Sequence, residues 1–140
     1  ADSHMPDFSL DEKRYWEYLI LGLDIRDHYM ASLRAQLRKM NILSSQDIKK
    51  RPNNAVVDVC GLLFRPHRPP TRSGRITVFM SLEDEFGLTD VTVFEDIYMQ
   101  YGNLIFAPQK GPLLVKGQVH RRGKGVSVTA RQLSFLDSWH

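Results

Sequence analysis

Two stretches of this sequence carry side chains able to hold a polyanion. The first sets Arg65, Arg68, Arg72 and Arg75 among Pro66, Pro69 and Pro70. A guanidinium can clamp a phosphate through two parallel hydrogen bonds or lie flat on a base, and prolines limit the entropy such a loop can lose. The second holds Lys116, Arg121, Arg122, Lys124 and Arg131, with His120-Arg121-Arg122-Gly123-Lys124-Gly125 at its centre. Its glycines let backbone N–H groups come close to a phosphate. Neither stretch contains an acid, and from residue 55 onward only Lys110 lies outside both. Most acids of this half fall at Glu83-Asp84-Glu85 and between Asp90 and Asp96. Such segregation is what the electrostatic footprint of a nucleic-acid binder looks like. The plainer readings are a solvated loop that keeps the domain soluble and a flexible hairpin turn.

Catalytic chemistry finds less to work with. Glu83, Asp84 and Glu85 are adjacent and precede a glycine, whereas a two-metal centre needs carboxylates converging from separate elements. Asp84 is better suited to shaping a turn. His28, His67 and His120 are scattered, and Cys60 has no second cysteine, so zinc ligation is not expected. No nucleophile–base–orienter set and no phosphate-cradling Gly-Lys-Ser motif can be assembled. Neither cofactor nor enzymatic activity is expected of this chain.

The elements that must position the basic stretches divide into two parts. In the first, Ser9-Leu10-Asp11-Glu12 reads as a capping box opening a helix to about Leu21, with Gly22 at its left-handed end. A second helix is expected over 27–40, with Met30, Leu33, Leu37 and Met40 as one apolar stripe and Asn41 as its stop. Ser44 can cap a further short turn, and Arg51-Pro52-Asn53-Asn54 breaks the chain. Tyr15, Trp16, Leu19, Leu33 and Leu37 are read as contacts among the helices, with the barrel, or with further domains.

Alternation then takes over. Val57 and Val59 mark a first strand, in which Gly61 signals a bulge or sharp bend. The run 65–74 is too rich in Pro, Arg and Gly for regular structure. Ile76, Val78, Met80 and Leu82 mark a second strand, a turn follows at 84–87, and Val91 and Val93 mark a third. A helix is expected over 95–106 and a loop at 108–111. Leu113, Val115, Gly117 and Val119 form a fourth strand, 121–125 a turn, and 126–133 a fifth.

Five strands with a helix between the third and fourth is the order of an oligonucleotide-binding (OB) fold, a Greek-key barrel. Such barrels grip oligomers with the loop after the first strand and the loop between the last two, and those are the loops that carry the basic stretches. Between them, alternation turns Phe79, Thr92, Lys116, Gln118, Thr129 and Arg131 outward. Phe79 is the candidate platform on which a base could stack, the competing reading being burial beneath the N-terminal helices. Phe64 and Phe94 are read as core or loop-base packing.

Residues 19–136 resemble the C-terminal region of the alpha subunit of bacterial DNA polymerase III, especially its error-prone relative. The matching stretches are Leu21-Gly22, His28, Val57-Asp58-Val59-Cys60-Gly61-Leu62, Arg68-Pro69-Pro70-Thr71 with Gly74, Leu82-Glu83-Asp84-Glu85-Phe86-Gly87, Val91-Thr92-Val93-Phe94, Tyr98 and Leu114-Val115-Lys116-Gly117. The sequence departs from the pattern at Tyr29 and Glu95, where the family commonly has proline. The resemblance implies a non-catalytic OB module of a DNA-directed DNA polymerase, serving replication or error-prone repair and contacting single-stranded template. It covers no palm domain, so no polymerase active-site residue carries over. A protein-interaction barrel and a transfer-RNA-binding barrel are the alternatives.

The chain has 140 residues, 42% of them hydrophobic and 25% charged, with a formal net charge of +3. This is ordinary composition for a globular protein. No apolar run is long enough to span a bilayer and no secretory signal is visible. With a lone cysteine, that fits a cytoplasmic protein without membrane partners. Ser3-His4-Met5 has the pattern of a vector scar, so residues 1–5 are set aside as a tag remnant. The rest is expected to be a piece of a longer protein, with a helical segment over 6–54 and the barrel over 55–136. Its expected partners are single-stranded nucleic acid, chiefly DNA, and other polymerase domains or subunits reached through the helical segment.

Overall fold

A computed structural model describes residues 25–136. The capping box at Ser9, the helix expected over 9–21 and the residues Tyr15, Trp16 and Leu19 lie outside them. The described chain runs α1 (Ile25–Lys39), β1 (Ile42–Leu43), α2 (Ser45–Ile48), β2 (Val56–His67), β3 (Thr77–Asp84), β4 (Gly87–Phe94), α3 (Glu95–Ile105), β5 (Leu113–Arg122) and β6 (Gly125–Phe135).

β2 through β6 close a five-stranded barrel. The neighbours run β2-β3-β4-β6-β5, and β5 returns to β2. The β4–β6 contact is parallel, and the others around the ring are antiparallel. This is the OB fold. Val59, Val78, Val91, Val93, Val115, Val119 and Val128 alternate inward and are buried. Ile105 from α3 and Ile48 from α2 join the same core.

Closure depends on glycine at two close approaches. Val56–Gly61 pair with β5 and Leu62–His67 with β3, so β2 changes partner at Gly61, the expected bend. A Cβ there would sit 2.8 Å from the Glu83 carbonyl oxygen. At Gly117 a Cβ would run into the Thr129 carbonyl oxygen. Beside Gly117, Lys116 pairs with Gln132 and Gly117 with Ala130, which leaves Arg131 as the extra residue of a bulge.

Outside the barrel, α1 lies over the outer side of β2 and β5. Met30, Leu33 and Leu37 pack with Cys60, Ile42 and Leu136 in a second core, so Cys60 is covered and burial pushes its thiol up to about 12. Met40 falls past the end of the helix and is exposed, while Asn41 takes the left-handed conformation that stops it. β1 is a short parallel addition to β2 at Asp58 and Val59.

One expectation fails here. Residues 65–67 are strand, not loop: β2 continues to His67, which pairs with Phe79. The irregularity lies between Phe64 and His67, where Arg65 adopts a left-handed φ of 49°. Proline had argued against a strand, yet Pro66 falls within the bulge, where no ladder hydrogen bond is asked of it.

Candidate nucleic-acid interface

Pairing register lays the outward side chains in rows across the strands. One row runs His67, Phe79, Thr92, Thr129, Gln118, each paired with the next. A second runs Phe64, Ser81, Asp90, Ser127, His120. Between the rows, on β2, β3, β4 and β6, lies an open groove of about 560 Å³, lined by Phe64, Arg65, His67, Phe79, Ser81, Asp90, Thr92 and Ser127 among others.

Phe79 is 41% exposed in this groove, its ring tilted against that of His67 with centroids 5.8 Å apart. Of the two expected N-terminal helices, α1 covers a different side of the barrel, and the one expected over 9–21 lies outside the described residues. Phe94 corrects a second expectation. It is 50% exposed rather than packed, since it follows Thr92 on the same outward alternation. Phe64 is half-buried, and the Arg65 guanidinium rests over its ring at 4.9 Å.

The basic residues do not all converge. Arg65 lines the groove beside Phe79. Arg68, just beyond β2, lies over the Tyr98 ring of α3 at 5.8 Å and donates to its hydroxyl at 3.3 Å. Arg72 and Arg75 are exposed in the loop that follows. That loop is shaped by its own polar side chains. The Thr71 hydroxyl donates to the Arg75 carbonyl, and the Ile76 amide donates to Glu95. Arg122 and Lys124 are exposed at the β5–β6 hairpin.

Arg121 is committed to the fold. Its guanidinium donates to the carbonyls of Lys49 and Arg51, both at 2.9 Å, and its amide donates to Asn53 Oδ1. Arg131, on the bulge, donates to Gln118 Oε1. Lys116 lies away from the groove, 3.9 Å from Asp58 in a separate depression with Asn41, Leu43 and Val56. The acids are also less segregated than the sequence implied, because Asp90 stands in the groove and accepts from the Ser81 hydroxyl.

The carboxylates at 83–85 hold structure together. Asp84 is buried and accepts from the Ser45 amide and hydroxyl and from the amides of Phe86 and Gly87. It thereby ties α2 to the β3–β4 turn. Glu85 forms a two-pronged pair with Arg34 of α1, at 2.7 and 2.8 Å. Burial pushes the Glu85 carboxyl up, but the Arg34 hydrogen bond, its own backbone amide and the Arg34 charge outweigh this and hold it below its ordinary value. Among the described residues no three His, Cys, Asp or Glu side chains are placed to hold a metal ion. None of the described helices is long and apolar enough to cross a membrane.

No family model matches the chain. The error-prone DNA polymerase of Symbiobacterium thermophilum is 47% identical to it over 132 residues, 94% of its length. This chain is homologous to a segment of error-prone DNA polymerase. The corresponding enzyme of Anaeromyxobacter dehalogenans is 33% identical over 136 residues, 96% of the chain. The chain spans about 12% of the length of each of these relatives.

Solved structures similar to this chain confirm its fold. Asparaginyl-tRNA synthetase from Pyrococcus horikoshii matches with a TM-score of 0.52 and 16% identity, over 68% of this chain and 23% of the synthetase. RecG bound to a three-way DNA junction matches with a TM-score of 0.50 and 14% identity, over 66% and 12%. An OBody bound to hen egg-white lysozyme matches with a TM-score of 0.53 and 14% identity, over 69% and 93%. At such identities the likeness shows the fold alone.

Proposed function

We propose that this chain is the single-stranded DNA-binding module of an error-prone DNA polymerase. It holds the strand across the outer face of β2, β3, β4 and β6 and has no catalytic part of its own. The exposed Phe79, set in a groove that Arg65 also lines, is the observation that carries this reading. A base stacked on an aromatic contributes about 1–3 kcal/mol with little regard to sequence. Arginines around the groove add phosphate contacts of the kind that make binding salt-dependent. Homology to the polymerases makes DNA the substrate of choice. In a full polymerase, the module would steady template strand for replication or repair synthesis in the cytoplasm, with the α1 side facing other domains or subunits.

The test is titration of labelled single-stranded DNA at several salt concentrations. If three or four phosphates are neutralised, log affinity falls against log salt with a slope of roughly −2 to −3. Phe79→Ala weakens binding about five- to a hundredfold, the loss of one stacked base. Salt-independent binding, or an unchanged affinity in the Phe79 variant, would sink the proposal. An RNA oligomer of equal length that competes better than DNA would favour a transfer-RNA-type barrel instead.

A further inference from the structure

A third basic stretch, Lys49-Lys50-Arg51, follows α2 and lies outside the barrel strands. Arg121 joins it to the β5–β6 hairpin, because its guanidinium bonds the Lys49 and Arg51 carbonyls and its amide bonds Asn53. Where the two meet is a depression of about 320 Å³, lined by Ser45, Lys49, Leu88, Asp90, Arg121 and Lys124 among others. Lys49, Lys50, Arg51, Arg122 and Lys124 are all exposed, and none makes an ion pair with another described residue. Asp90, the one carboxylate on the wall, is engaged by the Ser81 hydroxyl.

We propose that this joint between the α2 end and the β5–β6 hairpin is a second anion-binding surface, which takes the phosphodiester backbone of a strand leaving the Phe79 groove. The proposal rests on the reading above for the identity of the ligand. Two observations beyond charge support it. Leu88 and Asp90 line both the groove and the depression, so a strand passing one reaches the other without a gap. The depression also presents no aromatic platform; its polar reach is that of lysine and arginine heads, which recognise phosphate and not bases. The two surfaces therefore differ in chemistry. The groove stacks, while the joint neutralises charge and acts only on a strand long enough to arrive there.

The experiment compares thymidine oligomers of about 4 and about 16 nucleotides, the limits of an OB site. They are titrated against the full chain, the double variant Lys49→Gln with Lys50→Gln, and Phe79→Ala. Arg121 is left intact because it holds the joint together. The longer strand should bind the unaltered chain more tightly. The double variant should remove that gain, a loss of about tenfold at low salt, and should reduce the salt slope by about 1.4 for two phosphates on a single strand. It should leave the short strand and the melting temperature unchanged. A length-dependent gain that survives in the double variant overturns the second surface while leaving the groove standing. Conversely, long-strand binding that needs Lys49 and Lys50 but ignores Phe79 overturns the groove and keeps the joint. A long strand that does not bind at all removes both.

Discussion

Neighbouring arginines in the β5–β6 hairpin have different work. Arg121 donates to two carbonyls of the segment before β2, whereas Arg122 points out at the hairpin without such bonds among the described residues. Each net hydrogen bond of this exposed kind is worth on the order of 0.5–1 kcal/mol. Arg121→Ala should therefore cost about 1 kcal/mol and lower the melting temperature by a few degrees, while Arg122→Ala should leave it unchanged. Thermal unfolding of the two single variants checks this. A binding defect in Arg121→Ala thus mixes lost contact with a loosened joint, and Arg122 is the cleaner probe. Alternation along the strands made the outward direction of Phe79, Thr92, Gln118 and Thr129 legible. It could not say which outward residues α1 would cover, nor that Lys116 would lie away from the groove with Asp58. Those outcomes depend on where each strand stands around the ring. Phe94 was misjudged because apolarity alone argued for burial, against the alternation that Thr92 and Val93 already displayed.

The turn between β3 and β4 is built around one carboxylate. Asp84 receives four donors, two from Ser45 at the start of α2 and two from the amides of Phe86 and Gly87. An amide in its place would turn an N–H₂ group towards at least one of those donors. Asp84→Asn should cost about 3 kcal/mol, the usual loss when one partner of a buried charged network is removed. It should loosen α2 together with the turn. Chemical denaturation gives the first number, and faster amide exchange at Ile48 than in β5 would show the second. Sequence reasoning gave Asp84 its turn role from the glycine that follows. The reach back to Ser45, and that of Glu85 to Arg34, carried no local signal because the partners lie 39 and 51 residues apart. The same distance hid the kinship of Lys49-Lys50-Arg51 with the hairpin. The bulge at Arg65 was equally hidden: Pro66 looked like the end of a strand, and only the pairing of His67 with Phe79 shows that the strand resumes.

For the molecule as a unit, acid is the condition that should separate α1 from the barrel. The folded state holds the Glu85 carboxyl below its ordinary value of 4.5. A depressed carboxylate contributes stability that is complete above its unfolded value and is lost as pH falls through the folded one. The Arg34–Glu85 pair should thus support folding fully above about pH 5 and fade below pH 4.5. Urea midpoints measured between pH 7 and pH 3 should fall more steeply in the unaltered chain than in Glu85→Gln. Parallel curves would mean that the pair contributes nothing to the pH response. The barrel itself was legible from strand order, since five alternating runs interrupted by one helix leave few ways to close a sheet. A last consequence concerns descent. Arg131 is one residue more than the β5–β6 ladder needs, and it sits between Ala130 and Leu133, both of which face the core. Removing it would leave Ala130, Gln132 and Leu133 in ordinary in-out-in order, whereas a gap elsewhere in β6 would turn every later side chain to the wrong face. Lineages of this barrel are therefore free to gain or lose one residue at that bulge, and one-residue length differences in the strand should gather there.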